Sequence, residues 1–544
     1  MSTPVPHFQY RAHPDQRAAR PPHYPVIVAG GGPVGLAAAI DLMHQGIPTV
    51  LLDEDDTVST GSRSICWAKR TLEIFDRLGC AERMVARGIT WNLGKVFHGE
   101  KLLYEFNLLP EGGHRFPAFI NLQQNLAEEI FIAEAETLVG RGLDLRWKNR
   151  VAGVTARPDH VEVEIETPDG PYRLRCDYLI AADGVRSTVR RALGLDFKGQ
   201  VFEDRFLITD VRMQADFPTE RRFWFDPTFH PGRSALLHRQ ADDVWRIDLQ
   251  LGADADPELE RAPERVIPRI RAMLGPERGF EIVWTSVYTF QCRRLDKFRH
   301  GRVLFAGDAA HQVSPFGARG GNGGVQDADN LAWKLALVSK RLAPERLLDS
   351  YDVERIPAAD ENILHSTRAT DFMTPKTPAS SAFRDAALAL AERYSFARSL
   401  VNSGRLSRPA TLDGSPLNTR DSDAFAAAMR PGSPAADAPI GRCDGSASWL
   451  LRELQNGFTA LCFGDDDAML VELAPLTKGP VPLSLRRIGR GALGDPSGAA
   501  RERYDATPGT LYLLRPDQHV AARWRKPDRT LVERALSRAL GKTD

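Results

Sequence analysis

Two rhythms of apolar and polar positions run along this chain. A short apolar run at Pro25 to Ala29 leads into glycines, then an apolar stripe at helical spacing from Val34 to His44, then a second apolar run from Thr49 to Leu52. Short apolar runs bounded by turn residues read as buried strands and the 3.6-residue stripe as a helix, which predicts a strand–helix–strand unit with parallel strands. Similar runs at Tyr178 to Ala182 and Val303 to Ala306 end in Asp-Gly or Gly-Asp pairs, so one sheet is expected to gather distant segments. From about 200 to 295 the rhythm changes to period two. There WRIDLQL (245–251) follows the polar turn Ala241–Asp242–Asp243, the pattern of an antiparallel hairpin. Helical spacing returns at Gly323 to Lys340 and Tyr351 to about Thr370, followed by the Pro/Gly/Ser/Asp-rich stretches RPATLDGSPLNTRDSD and RPGSPAADAP. The expected organisation is a loose N-terminal arm (1–23), a discontinuous α/β domain (24–200 and 296–400), an inserted antiparallel-sheet domain (201–295), a linker (401–434) and a third domain (435–544).

Composition narrows the partners. The 544 residues are 42% hydrophobic and 26% charged, an ordinary globular balance, and 71 basic residues match 71 acidic ones. With no net field to attract a polyanion, nucleic acid or an anionic membrane is not expected as partner, and a small molecule is. The six cysteines (66, 80, 176, 292, 443 and 462) form no CxxC pair and stand near no histidine at metal-ligand spacing, so no metal site is expected and a cytoplasmic setting fits. The N-terminal stretch lacks the apolar core of a signal peptide, and glycines and Asp41 interrupt the most apolar segment.

Gly30-Gly31-Gly32-Pro33-Val34-Gly35 satisfies GxGxxG between a strand and a helix, and Asp53 ends the next strand. Gly30, Gly32 and Gly35 permit the tight turn and the approach of a pyrophosphate to a helix N-terminus, while Asp53 can accept ribose hydroxyls. Asp53 and Glu54 would repel a 2′-phosphate, leaving FAD or NAD as the resident dinucleotide. In the inserted hairpin, alternation sets His238 and Gln240, then Arg246, Asp248 and Gln250, on a polar face, with Trp245, Ile247 and Leu249 opposite. Phe223, Trp224, Phe225, Phe229 and His230 form an aromatic cluster ahead of it, and Tyr288 and Phe290 lie on another alternating strand. Lys69, Arg70 and Arg77 read as solvated helix residues, and His300 and His311 have no assignable partner.

CDYLIAADGVRSTVRRALGL (176–195), with Asp183-Gly184, and GRVLFAGDAAHQVSPFGARGGNGGVQDADNLAWKLA (301–336), with Gly307-Asp308, resemble the paired fingerprints of class A flavoprotein monooxygenases, the p-hydroxybenzoate hydroxylase-like aromatic hydroxylases. The string 494–524 is similar to the thioredoxin-like third domain of the phenol hydroxylase and 3-(3-hydroxyphenyl)propionate hydroxylase branch. The resemblance implies a Rossmann-like FAD-binding domain with an inserted substrate-binding sheet and a thioredoxin-like C-terminal α/β domain. It implies bound FAD, transient NADH or NADPH, and oxygen transfer from a C4a-hydroperoxyflavin to a small phenolic ring. A homodimer is a further expectation. Asp308 would hold the ribityl chain, and the loop Pro315 to Asn322 would turn the amides of Gly320, Gly321 and Asn322 toward the flavin, a contribution of ~0.3–2 kcal/mol. Arg63, Gln124 and Asp183 are further cofactor positions; His238, Asp248, Arg246 and Pro315 are the catalytic candidates, with Gln240, Phe225 and Tyr288 facing substrate. His238 is the expected proton acceptor and Asp248 its partner. Many family members carry Gly-Gly-Gln where this chain reads Gly317-Ala318-Arg319, a departure that bears on flavin electrostatics. Epoxidation, oxidative denitration, oxidation without ring insertion, or a catalytically silent FAD-bound scaffold are the alternatives.

Overall fold

The computed structural model describes residues 6–61, 64–401, 406–426, 429–454, 456–465 and 467–542. The strand His23–Ala29 lies at the middle of the first sheet, parallel to Thr49–Leu52 on one side (Val26 opposite Thr49) and Tyr172–Ala181 on the other (Val26 opposite Tyr178). Val303–Phe305 extends this sheet parallel to Tyr172–Ala181, with Leu179 opposite Val303, so segments some 124 residues apart in sequence become neighbours. Val26 to Ala29 are fully buried because the sheet is covered on its faces, the reason these strands read as continuous apolar runs rather than alternating ones. Helices Pro33–His44 and Gly320–Ser339 pack against each other, and Gly324 makes this possible: a Cβ there would sit 2.6 Å from Val34 Cγ2 and 3.0 Å from Gly307 Cα.

The second sheet has the order His311–Gln312, Glu281–Arg294, Lys198–Arg212, Val244–Gln250, Ser234–Arg239, Arg221–Phe225, Leu93–His98, Lys101–Asn107. One face carries Leu207, Val211, Trp245, Ile247 and Leu249 and is buried under the helix Pro263–Leu274 through Val266 and Ile270. The apolar side of the alternating pattern is therefore the side away from the first domain. The sheet is not confined to 201–295, because Leu93–Asn107 supplies two of its strands, with Leu93–His98 parallel to Arg221–Phe225. Helices Pro378–Arg393 and Ser395–Val401 also pack here, through Ala387, Leu388 and Ala397, and not on the parallel sheet. Short-range patterning identifies strands but not the sheet they join.

Beyond these, Leu483–Ile488, Phe458–Phe463, Leu511–Leu514 and Val520–Trp524 form a mixed four-stranded sheet in that order, flanked by the helix Arg529–Ala539. Two segments expected to be loose are held. In the N-terminal arm Phe8 stacks on Trp147 at 4.5 Å, and Asp15 accepts from Tyr24 Oη and from Arg146 at 2.6 Å each. In the 401–434 stretch the described residues adhere to the last sheet: Thr419 N donates to Ala521 O (2.8 Å), Gly432 N to Val520 O (2.7 Å), and Leu412 and Leu417 are buried. Their polar composition serves turn and edge hydrogen bonds, a use that composition does not distinguish from solvation.

Candidate active site

The glycine motif is shaped by close approaches. Gly30 has φ +104°, and a Cβ on it would lie 2.4 Å from Ala182 O; one on Gly35 would lie 1.9 Å from Gly30 O. Gly32 differs: no atom lies within 4 Å of where its Cβ would be, so this side of the turn is open. The helix that follows begins with Pro33 and has no side-chain cap, leaving its first amides for an anion. Asp53 is held below the turn. It accepts from the Gly31 amide and from Asp55 N (2.7 Å), and burial pushes its carboxyl up to about 6. An open glycine cradle, an uncapped helix start and a fixed carboxylate fit a dinucleotide pyrophosphate and ribose.

Asp308 stands exposed at the end of Val303–Phe305, where a polyhydroxyl chain could reach it. The turn below it is fastened by a buried group that sequence reading missed: Asp327 Oδ2 accepts from Gly307 N (3.0 Å) and pairs with His311 Nε2 (2.6 Å), and Arg355 donates to Oδ1 (2.7 Å). Burial alone would raise the Asp327 pKa, but His311 and Arg355 together hold it below the ordinary value. His311 thus has a partner 16 residues away on the helix Gly320–Ser339. Asp183 does something more local. Its Oδ2 accepts from Val189 N (3.0 Å) and caps the helix Thr188–Ala192, while Oδ1 is buried without a partner among the described residues.

The loop Pro315 to Asn322 turns at Gly317 (φ +93°) and Ala318 (φ +54°) and opens the helix Gly320–Ser339, again without a side-chain cap. Asn322 pins it: Oδ1 accepts from Ala68 N (2.9 Å), and Nδ2 donates to Cys66 O (2.8 Å) and Ala318 O (2.6 Å). With that side chain spent on backbone, the amides of Gly320, Gly321 and Asn322 are first-turn donors without intrahelical acceptors. Gln124 and Glu128 brace the facing loop, Gln124 Oε1 accepting from Ser64 N (3.2 Å) and Glu128 Oε2 from Ser59 N (2.6 Å). Arg63, on that loop, lies outside the described residues.

Above the loop stands the polar face of the second sheet. A cavity of about 120 Å³ has His238, Arg246, Asp248, Trp284 and Tyr288 on one side and Asp308, Pro315 and Gly320 to Asn322 on the other. Residues from the insertion and from the glycine loop are thereby brought together. His238 is opposite Arg246 in the ladder, and Asp248 lies between Leu236 and Ile208. Burial, reinforced by Arg221 and Arg246, pushes the His238 imidazole well below its ordinary value. Burial pushes Asp248 up to about 6 against the opposing pull of Arg246 and Arg221. Asp210, unrecognised in the sequence, holds Arg246 by two contacts (2.9 and 3.0 Å) and accepts from Gln240 Nε2 (2.8 Å). Gln240 therefore stands behind Arg246 and not in the cavity wall. Cys66, by contrast, is in that wall.

Phe225 is also elsewhere. With Phe223 and Phe316 it lines a second cavity of about 200 Å³, roofed by Ser399 to Val401. The two cavities meet at Arg221 and Arg319, which line both. Arg221 escaped sequence reading, although the alternation Arg221, Phe223, Phe225 puts it on the inward face.

Residues 23–366 match the model of a family described as the FAD binding domain. The chain is 32% identical over 545 residues to 6-methylpretetramide 4-monooxygenase of Streptomyces rimosus, covering 94% of this chain and 92% of that one. The chain belongs to the FAD-dependent aromatic hydroxylases. The hydroxylase is also 31% identical over 348 residues to para-nitrophenol 4-monooxygenase of Pseudomonas sp. (strain WBC-3), covering 61% of this chain and 82% of that one. Its fold matches the crystal structure of the flavin-dependent monooxygenase PieE in complex with FAD and substrate, with a TM-score of 0.82, 23% identity, and coverage of 96% and 100% of the two chains. It is a flavin monooxygenase with FAD as cofactor. Among the described residues there is no helix long and apolar enough to cross a membrane and no His/Cys/Asp/Glu cluster for a metal.

Proposed function

We propose that this hydroxylase uses NADH or NADPH and dioxygen to hydroxylate a phenolic ring held between the polar sheet face and the glycine loop. The observation that carries it is the cavity in which a carboxylate and two guanidinium groups, Asp248, Arg221 and Arg246, face the uncapped helix start at Gly320. FAD, when bound, supplies reduction by the nicotinamide and activation of oxygen. Gly30, Gly32, Gly35 and Asp53 would hold its adenosine diphosphate half, Asp308 its ribityl chain, and the Gly320 to Asn322 amides the electron-accepting edge of its ring.

The residues over that ring prepare the substrate. Electron density on a phenol rises when its hydroxyl loses a proton, and Asp248 supports the acceptor role better than His238. A general base works best with a pKa near the operating pH; Asp248 is pushed up to about 6, toward that range, while His238 is driven away from it. The expected order of the pair is thus inverted: Asp248 Oδ takes the phenolic proton, Arg246 and Arg221 favour the phenolate, and neutral His238 offers a hydrogen bond. The aromatic cover of Trp284 and Tyr288 keeps water from the reacting atoms. A cytoplasmic, reducing setting agrees with six cysteines and no disulfide.

The test is one set of assays on the purified holoenzyme: NADH and NADPH oxidation with and without a panel of phenols, each scored for hydroxylated product. Coupled product formation with at least one phenol is expected. NAD(P)H consumption that no phenol stimulates, with no product, would reject the proposal.

A further inference from the structure

Residues 6–22 precede the first strand and, among the described residues, form one short turn of 3-10 helix, Pro14–Arg17, and add no strand to any sheet. Their contacts nevertheless converge on one place, the backbone that carries Asp53 beyond the end of Thr49–Leu52. That backbone is tied to the turn after the strand Leu143–Arg146: Asp53 N donates to Arg146 O (3.0 Å), Asn149 N to Asp53 O (2.7 Å) and Lys148 N to Asp55 O (3.2 Å). Lys148 has φ +57°, a conformation that a residue other than glycine keeps only where its surroundings hold it.

The arm supplies part of those surroundings. The Phe8 ring stacks on Trp147 at 4.5 Å and its amide donates to Asp56 O (2.6 Å), beside the bridge from His7 to Thr57. Asp15 accepts from Arg146 (2.6 Å); Arg146 also donates to the Tyr172 hydroxyl (3.0 Å), which in turn donates to Asn149 Oδ1 (2.7 Å). A chain of contacts thus runs from the arm through Arg146, Tyr172 and Asn149 to the Asp53 carbonyl. We propose that the arm is a clamp for the adenosine half of FAD, with Phe8 and Asp15 as positioning residues that act on the ribose through the 146–149 turn and Asp53. This inference rests on the reading of Asp53 as the ribose acceptor and adds the segment that holds it in place. Fixing a site before its ligand arrives raises affinity, because the ordering cost is no longer met on binding. The coupling is reciprocal: if the docked arm strengthens FAD binding, FAD strengthens docking of the arm by the same factor.

The experiment uses binding without turnover. Full-length apoprotein is titrated with FAD by flavin fluorescence, and amide hydrogen exchange of residues 6–22 is measured by mass spectrometry with and without saturating FAD. Phe8→Ala and Asp15→Asn are each expected to weaken FAD binding by about 5–50-fold. Phe8→Tyr, which keeps the stacked ring, is expected to stay within about 2-fold of wild type. In wild type, FAD is expected to slow exchange in the arm, a response that a segment serving only the stability of the fold would not give. Wild-type FAD affinity in Phe8→Ala and Asp15→Asn, a Phe8→Tyr variant as weak as Phe8→Ala, or exchange in the arm that FAD leaves unchanged overturns the inference. Asp53→Ala, measured alongside, tests the reading beneath it: unchanged FAD affinity there removes Asp53 from the site and the clamp with it, whereas a loss there with both arm variants at wild-type affinity refutes the clamp alone.

Discussion

Asp248 has opposite consequences for activity and for stability. If it accepts the phenolic proton it must be ionised, so hydroxylation is expected to fall as pH drops through about 6, the value to which burial pushes it. Asp248→Asn should lose roughly 10²-fold or more in hydroxylation rate at pH 8 while retaining FAD, and should lack that acid limb. The stability sign is the reverse. The folded-state pKa is raised above the unfolded value of about 4, so between about pH 4 and 6 the folded chain keeps a proton that the unfolded chain has released; stability contributed there is lost as pH rises through the window. Asp248→Asn is therefore expected to melt no lower, and at pH 8 higher, than wild type. Wild-type turnover at pH 8 with an intact acid limb would take Asp248 out of the reaction.

At the scale of elements, the site depends on how tightly the helix Gly320–Ser339 lies on Pro33–His44. Gly324 is the point of closest approach, with Val34 and Gly307 where a Cβ would be. Gly324→Val is expected to cost about 1–3 kcal/mol through overpacking and to weaken FAD retention, because the displaced helix carries the Gly320 amides and, through Asp327, the Gly307-Asp308 turn. At Gly323 the nearest atoms to a Cβ are at 3.4 and 3.5 Å, ordinary contact, so Gly323→Ala should be tolerated. Thermal melting of both variants with and without added FAD checks the pair; equal behaviour would mean that the close approach is not limiting. The glycine run was legible in the sequence as a cofactor loop. That two of its glycines serve two different neighbours was not, since neither Val34 nor Asn362 is nearby in sequence.

Across the whole molecule, the C-terminal domain is joined to the cofactor domain by buried charge. Glu354 pairs with Arg515 (2.6 Å) and Lys334 (2.6 Å), all three with fully buried side chains, and Arg70 donates to Asp517 O (2.7 Å). Arg77 likewise spans Asp41 (2.5 Å) and Asp329 (2.6 Å), so Arg70 and Arg77, read from sequence as solvated, lie inside the network. Burial, offset by Glu354, pushes Lys334 down to about 8, whereas Arg515 and Lys334 overcome burial to hold Glu354 well below its ordinary value. Glu354→Gln leaves the buried Lys334 without its carboxylate, while Arg515 keeps Asp517, and is expected to destabilise by about 3–5 kcal/mol in urea unfolding. Adding Lys334→Met to it should recover part of the loss; a single variant as stable as wild type would show that the network carries little of the junction. Of the free cysteines of this last domain, Cys443 is exposed and Cys462 is buried, burial pushing its thiol up to about 12.

The sequence by itself determined what depends on neighbours along the chain: the strand–turn–helix at Gly30 to His44, the Asp53 carboxylate, the Gly307-Asp308 turn and the two faces of the 234–250 hairpin. These follow from period and from backbone sterics, which act over a few residues. Tertiary structure decided what depends on proximity across the chain: that Leu93–Asn107 joins the second sheet, that Asp327 receives His311 and Arg355, that Gln240 backs Arg246 through Asp210, and that Arg221 and Arg319 line both cavities. It also decides the pKa shifts on which the proposed choice of Asp248 over His238 as proton acceptor rests. Their ordinary pKa values favour the histidine, but burial disfavours the charged form of each, moving the imidazole down and the carboxyl up, and burial is a property of the fold and not of the residue.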